Sequence, residues 1–486
     1  MLTLARIFIV LAPQQWLAFA TETSRFFISW AAGGVFAAAA GMLYVSRSWS
    51  LPWTTIRLAW PFLAFVLIGV LSLATSPYFA AALSKGAVQA VGIATMLTVA
   101  FGFSTLVSGN LSVLMTLIKW SAATAGVVGL IAVGQFAVNN IVRAPVVEFS
   151  FLGQLFGGFD EFGQRGTLGG LWRATSIATE PARMCSYLSV ALGTALVRVG
   201  LAGRDGAAVL RPYVPGWAAF GILGGFAASL SLEGYMALIL AAVAILIARR
   251  RTRTHRARLR GQRYINWGVG AAAVAVVAIP FAAGPDLIGK LGTLELVYQA
   301  FDPDAPQISA VGRGDISALA IAANAVVAVD NLEERPLLGM GLGAHPVTYD
   351  DLVPDFAYNN EAGLNGLNKD DAASLLLRLL SETGLLGTLA FAAGAFAVLR
   401  QGWMVARSCG GWHEDGRLMV LHFTAIGMIG SCTALFFRNF SRDGTYFDAT
   451  LWECIGLTLS LVSFAPAVGV VIARRSAGRR ASPSLP

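Results

Sequence analysis

Arg335-Pro336-Leu337-Leu338-Gly339-Met340-Gly341-Leu342-Gly343 and Leu379-Leu380-Ser381-Glu382-Thr383-Gly384-Leu385-Leu386-Gly387 bracket a polar segment in a chain otherwise built from long apolar runs. A glycine-rich turn and a polar stretch that leads back into a helix make a poor lipid anchor. They suit a cap over a site at a membrane surface. The surrounding chain is 56% hydrophobic and 13% charged, against about 25% charged for a soluble domain. Apolar runs near the ~20 residues that one crossing requires recur along the whole length. Only helices or closed barrels satisfy their backbone polar groups inside lipid, and these runs are too long and too uniformly apolar for barrel strands. The expected fold class is all-α, a polytopic membrane helix bundle.

At ~20 residues per crossing, about twelve spans are predicted. They fall near 4–20, 26–45, 58–75, 84–106, 113–138, 178–199, 214–231, 234–249, 264–283, 373–399, 417–437 and 451–473. The pair at 214–249 reads either as two short helices broken at Ser229-Leu230-Ser231-Leu232-Glu233-Gly234 or as one kinked span. The first run lacks a small-residue cleavage site and reads as a retained span. Net charge is +8, and its placement matters more than its size. The basic runs at 249–260 and 474–480 abut apolar spans, so they read as cytoplasmic topology signals rather than as a nucleic-acid surface. Both termini then lie on the inner side, as do Arg47, Arg57, Arg198, Arg204, Arg211, Arg400 and Arg407. The chain divides into helices one to nine over 1–283, with an outer loop near 139–177, a large outer loop over 284–372, and helices ten to twelve with a basic tail over 373–486. Within the large loop, Asp315 to Val329 reads as a helix apolar enough to lie on the membrane surface. A connection this long carries function more often than not.

Cys185, Cys409, Cys432 and Cys454 lack the paired short spacing of a metal or redox motif. Cys432 and Cys454 read as buried free thiols, with a disulfide between them as the alternative. No internal repeat is evident, which weighs against a transporter.

The outer side carries the unexpected charge. Arg143, Arg165 and Arg173 lie on the first long loop, followed by Glu180-Pro181-Ala182-Arg183 at the entry to the next span. The large loop holds Arg313, Glu333, Glu334, Arg335, His345, Lys369, Asp370 and Asp371, and Arg378 and Glu382 lie just inside the following helix. Arg438 and Arg442 occupy the last outer loop. Topology disfavours arginines there, so they need another reason. Each one alone is explained by a neighbouring carboxylate or by lipid phosphate. As a set they suit a phosphorylated ligand, because guanidinium binds phosphate through paired hydrogen bonds and stays charged. Glu233 lies beside a short span, either as a functional intramembrane acid or as a residue at an outer turn. Glu382, with Gly384 and Gly387, reads as part of a close helix contact, and His345 reads as a loop histidine.

Gly312-Arg313-Gly314-Asp315-Ile316, Pro336-Leu337-Leu338-Gly339-Met340-Gly341-Leu342-Gly343 and Glu180-Pro181 together resemble motifs of the bacterial O-antigen ligase and O-antigen polymerase superfamily. The resemblance covers roughly residues 165–440. It implies a bacterial inner-membrane protein with its active site facing the periplasm. Arg313 would then contact a pyrophosphate, and Glu180 would open the sixth span. Arg173 and Arg183 lie beside it as candidates for a second phosphate contact, with Arg438 and Arg442 completing the substrate-binding set. Ligases of this superfamily carry His-Asn shortly before the Glu-x-Gly-x-x-Gly segment. Counting back from Glu382 places Ala373 and Ser374 there, which favours a polymerase.

The implied reaction is inverting glycosyl transfer. A glycan on a polyprenyl pyrophosphate is the donor, and a hydroxyl of a second lipid-linked repeat unit is the acceptor. Arg173, Arg183 and Arg313 would neutralise the leaving group. Asp370 or Asp371 would take the acceptor proton if its pKa is suitably raised, although Asp371 also reads as the N-cap of the helix that follows. No metal, cofactor or nucleotide is called for; the expected partners are the lipid-linked donor and acceptor, the bilayer and a chain-length regulator. The alternatives are a ligase or protein O-oligosaccharyltransferase using the same donor, and, from another class, a lipid-linked sugar transporter.

Overall fold

A computed structural model of the protein describes residues 1–12, 27–144, 167–168, 171–176, 181–252, 316–354, 357, 366, 368–410, 415–442 and 445–464, without the side chains of 27–28, 167–168 and 316–318. Arg165, Glu180 and Arg313, the expected span at 264–283 and much of the two long loops lie outside the described residues.

The fold is helical apart from one two-residue antiparallel ladder, β1 (Thr167–Leu168) with β2 (Leu171–Trp172). The first five helices are α1 (Leu2–Leu11), α2 (Phe27–Val45), α3 (Trp53–Ala74), α4 (Phe79–Val107) and α5 (Leu111–Val142). After the ladder come α6 (Pro181–Arg198), α7 (Arg204–Leu210), α8 (Gly216–Ser229) and α9 (Leu232–Thr252). The remainder comprises α10 (Ile316–Glu334), α11 (His345–Leu352), α12 (Leu375–Cys409), α13 (Gly416–Ser441) and α14 (Ala449–Ser460), which continues as a 3₁₀ turn to Phe464.

Among the described residues, α3, α4, α5, α9, α12 and α13 are long and apolar enough to cross a membrane. Helices α1, α8 and α14 and the Ser29–Val45 part of α2 are apolar but shorter. Large apolar side chains such as Val35, Trp60, Leu67, Val91 and Phe396 point outward from the bundle, which is unfavourable in water and suits lipid. Helix α6 is different. Every residue from Pro181 to Val197 is buried, so it runs through the middle of the protein with helices on all sides.

Polar caps fix several helix starts. Asn110 accepts from the Ser112 and Val113 amides, Asp415 from Arg417 and Leu418, and Asp448 from Thr450 and Leu451, each supplying an acceptor to otherwise unpaired N–H groups. At Leu230 the backbone turns left-handed, with φ 45°. The 214–249 stretch is therefore two helices, α8 and α9, rather than one kinked span. Small residues set the closest helix approaches: a Cβ on Gly129 of α5 would overlap the Gly221 carbonyl of α8, the close backbone contact that membrane helices use in place of a hydrophobic drive.

Side-chain links show which turns share an end of the bundle. Ser76 bonds to the Met340 carbonyl, Asn140 to Trp172, and Arg442 to Glu233, so the described residues at 75–78, 143, 172–176, 230–231, 335–354, 368–374 and 445–448 gather at one end, the loop end. Gly109 bonds to Ser463, and Arg249 to the Leu201 carbonyl, at the basal end.

The two glycine-rich stretches form one unit at the loop end. The Met340 and Gly341 amides donate to the Ser381 and Glu382 carbonyls at 2.9 and 3.1 Å, and the Leu385 and Leu386 amides donate to the Pro336 and Leu337 carbonyls at 2.9 and 3.1 Å. Helix α12 is broken to permit this. Gly384 has φ 62° and ψ −161°, a region open essentially to glycine alone. A Cβ there would lie 2.6 Å from the Gly339 nitrogen and the Leu337 carbonyl. Met340 and Leu342 are buried, with Leu342 against Gly69 of α3 and Gly86 of α4. The glycine turn therefore anchors the 335–354 segment inside the bundle.

Candidate functional site

Two polar clusters lie at the loop end. The first joins the starts of α6 and α9 to the end of α13. Arg438 is fully buried. Its guanidinium donates to Glu233 Oε2 at 2.7 Å, to the Ser186 hydroxyl at 3.2 Å and to the Ala182 carbonyl at 3.1 Å. Arg442, one turn later, donates to the other Glu233 oxygen at 2.5 Å, and its side chain keeps 17% exposure. Arg173 leads into this region and donates to the Ser229 carbonyl at 3.3 Å. Arg183 is buried in the first turn of α6. Among the described residues, two arginines thus pair with one glutamate, and two more lie on the neighbouring turns. The helix ends reinforce this arrangement: Glu233 sits at a helix N-terminus and Arg438 at a C-terminus, each the favoured sign for its position.

The structure therefore brings together Arg173, Arg183, Arg438 and Arg442 from the expected substrate-binding set. It also separates their roles. With no exposed surface and all three guanidinium nitrogens bonded, Arg438 positions Glu233 and Arg442. A ligand arriving from the loop end would meet Arg442 first. Glu233 is neither an isolated intramembrane acid nor a bystander at a turn; it holds two arginines together.

The second cluster joins α10, α11 and α12. His345 is buried at the start of α11. Its Nε2 lies 2.9 Å from Asn324 Oδ1 and its Nδ1 lies 2.8 Å from the Ser381 hydroxyl. Asn324 Nδ2 donates to the Ala320 carbonyl, so its oxygen faces the ring and Nε2 carries the proton. Asn331 donates to the Ser381 hydroxyl at 2.7 Å, leaving the serine proton for Nδ1. Both ring nitrogens are satisfied in the neutral form. Burial, reinforced by the Arg378 charge, lowers the ring to about 3. The expectation of a loop histidine is corrected: His345 is a neutral pin between three helices.

Arg378 and Glu382 lie one helical turn apart as a buried pair, 3.4 Å between Nε and Oε1. The Arg378 guanidinium stacks 4.9 Å from the Tyr446 ring, and Tyr446 donates its hydroxyl to the Arg378 carbonyl at 3.2 Å. Burial, then the neighbouring Glu382 charge, push the Tyr446 phenol well above its usual value. Glu382 thus does more than bring helices close.

Asp370 and Asp371 stand above this pair. Asp370 accepts from Lys85 of α4 at 2.8 Å. Partial burial works against its charge, but Lys85 outweighs burial and holds the carboxyl below its ordinary value. Asp371 accepts from the Ala373 amide at 3.0 Å. The N-cap of α12 is Ser374, which accepts from Leu377, so the cap reading of Asp371 is replaced by a local turn. That turn carries Ala372 and Ala373 at φ 55° and 56°, a conformation that costs alanine about 1–2 kcal/mol per residue. Both alanines are fully packed, which holds the two aspartates in a fixed turn.

Lys85, Asn324, Asn331 and Tyr446 were not singled out from the sequence. A weak signal existed for three of them: Lys85 is the only charge in the apolar run 79–107, and Asn324 and Asn331 are two helical turns apart on one face of α10. Tyr446 had none. Groups of acids, histidines and cysteines that would hold a metal ion are absent among the described residues. No protein-family model matches the chain, and comparison with curated proteins returns no match.

Proposed function

We propose that the protein is an inner-membrane glycosyltransferase that polymerises polyprenyl-pyrophosphate-linked oligosaccharide repeat units at the periplasmic face. The observation that carries this reading is the arginine cluster at one end of a membrane-embedded bundle. Arg438 and Arg442 pair with Glu233, with Arg173 on the adjoining Ser229 turn and Arg183 in the first turn of α6, where a diphosphate with its lipid tail in the bilayer would present its charge. Arginine meets phosphate with two parallel bonds and cannot lose its proton there. In this scheme Arg442, Arg173, Arg183 and Arg313 contact the pyrophosphate and stabilise the charge that develops as the sugar–phosphate bond breaks. Arg438 and Glu233 position them.

The acceptor hydroxyl attacks the anomeric carbon from the face opposite the pyrophosphate. Its proton passes to Asp370 or Asp371, the carboxylates held at the loop end. Lys85 keeps the Asp370 carboxyl below the usual range, so it is ionised but a weaker base than a carboxylate with a raised pKa, and a proton it accepts must pass on readily. His345 is excluded as the base by its two occupied nitrogens, which favours a polymerase over a ligase using a histidine. The twelve-span count, cytoplasmic termini and a periplasmic 284–372 loop complete the scheme. Its orientation is supported by charge. The basal end carries Arg47, Arg198, Arg204, Arg211, Arg249, Arg250, Arg251, Arg400, Arg407 and Arg417 against Asp205 and Asp415 among the described residues, the imbalance that marks a cytoplasmic side.

The test is substitution of the outer arginines. Arg313→Ala and Arg442→Ala should each abolish glycan chain extension in cells while protein level and membrane insertion stay normal. Full-length polymer in both variants would remove the arginine clamp from the mechanism.

A further inference from the structure

Glu453 has no part in the reaction scheme. It lies on α14 between Trp452 and Cys454, is 1% exposed, and neither carboxyl oxygen has a hydrogen-bond partner. The Ser121 hydroxyl on α5 lies close enough to act on it, and that oxygen is also buried without a bond partner. The titratable groups that act on Glu453 are Asp448 at the N-cap of the same helix, Tyr187 on α6 and Cys454. All three are acids. Asp448 is committed as a cap that accepts from the Thr450 and Leu451 amides. Of the cations on the helices packed against α14, Lys85 of α4 pairs with Asp370, Arg378 of α12 with Glu382 and Arg438 of α13 with Glu233, Arg198 of α6 bonds the Val214 carbonyl, and Lys119 of α5 is exposed; none of these, nor Arg183 of α6, Arg400 and Arg407 of α12 or Arg417 of α13, acts on the Glu453 carboxyl.

An ionised carboxylate in this position would be buried without a paired cation, at a cost of many kcal/mol. The neutral acid costs far less. It needs one donor–acceptor contact, and the Ser121 hydroxyl is the neighbour that can make it. We propose that Glu453 is a proton-binding site, a carboxylic acid held neutral at the junction of α5, α6 and α14. Its ligand is a single proton, and release of that proton would place an unpaired charge between these helices. The site is independent of the arginine cluster and stands whether or not the protein transfers sugars.

Infrared difference spectroscopy on the full chain in lipid tests this. Wild-type protein at neutral pH should show a protonated-carboxyl carbonyl band that shifts in D₂O and is lost in Glu453→Gln. The amide has the size and hydrogen-bonding capacity of the neutral acid, so the variant should fold with wild-type thermal stability. Superimposable spectra in the carbonyl region, with loss of a carboxylate band instead, would show an ionised side chain and overturn the proposal. Failure of Glu453→Gln to fold would overturn it equally, because a site built for the neutral acid accepts its amide.

Discussion

Arg438 and Arg442 are one helical turn apart, share Glu233, and have opposite relations to solvent. Removing Arg438 leaves the Glu233 carboxylate half-paired in a buried setting, at a cost of about 3–5 kcal/mol. Arg438→Ala should therefore lower the thermal midpoint and the amount of folded protein, read by fluorescence-detected size exclusion. Arg442→Ala should leave both near wild type and remove product. His345 supplies a pH signature. Its ring takes a proton in the unfolded chain below about 6.5, while the folded site refuses it until about 3. The unfolded state therefore binds more protons across that window, and stability falls as pH drops from 6.5 toward 3. Above 6.5 this contribution is constant. A thermal-unfolding series against pH should show the acid loss in wild type and a smaller slope in His345→Gln. At this scale Arg438 and Arg442 stood out in the sequence as outer-side charges. Their pairing with Glu233 did not: Glu233 and Arg438 are 205 residues apart, and no local pattern links them. His345 was misread because burial, which decides its role, is a property of three converging helices.

Among the elements, α12 shows most clearly how sequence and structure relate. Its apolar run announced a span, and the Ser374 start lies within two residues of the expected boundary. The break at Gly384 was hidden, since a glycine inside an apolar helix reads equally well as a packing contact. Only the four backbone bonds to the 336–341 stretch reveal that the helix opens to receive the glycine turn. Gly384→Ala meets a backbone conformation barred to alanine, worth about 1–3 kcal/mol, and a clash with Leu337 and Gly339. The expected outcome is release of the 335–354 segment: faster proteolytic cutting within it and a lowered thermal midpoint. Ala373→Gly, at φ 56°, relieves strain and should be tolerated. Equal protease sensitivity in wild type and Gly384→Ala would count against the docking role of the turn.

For the molecule as a whole, apolar periodicity was enough to establish an all-helical membrane bundle, because the bilayer leaves few other ways to satisfy a backbone. It was not enough to separate lipid-facing from central helices. Helix α6 reads in the sequence as one span among twelve, and it is buried from Pro181 to Val197. The four cysteines are buried and free, so single cysteines introduced at the surface report topology without interference. Ser48→Cys at the basal end and Thr75→Cys at the loop end should differ in spheroplasts. A membrane-impermeant maleimide should label Thr75→Cys directly and Ser48→Cys only after permeabilisation. The reverse pattern would turn the arginine cluster toward the cytoplasm and exclude a periplasmic reaction.

One reconstitution bears on everything above. Purified protein in lipid is given a polyprenyl-pyrophosphate-linked repeat unit, with no lipid A-core or protein acceptor, and the products are resolved on a gel. A ladder of lengthening lipid-linked glycans that is lost in Arg442→Ala is the expected result. Absence of a ladder from wild-type protein, with transfer appearing only once lipid A-core or a protein acceptor is added, would contradict a polymerase and identify a ligase in its place.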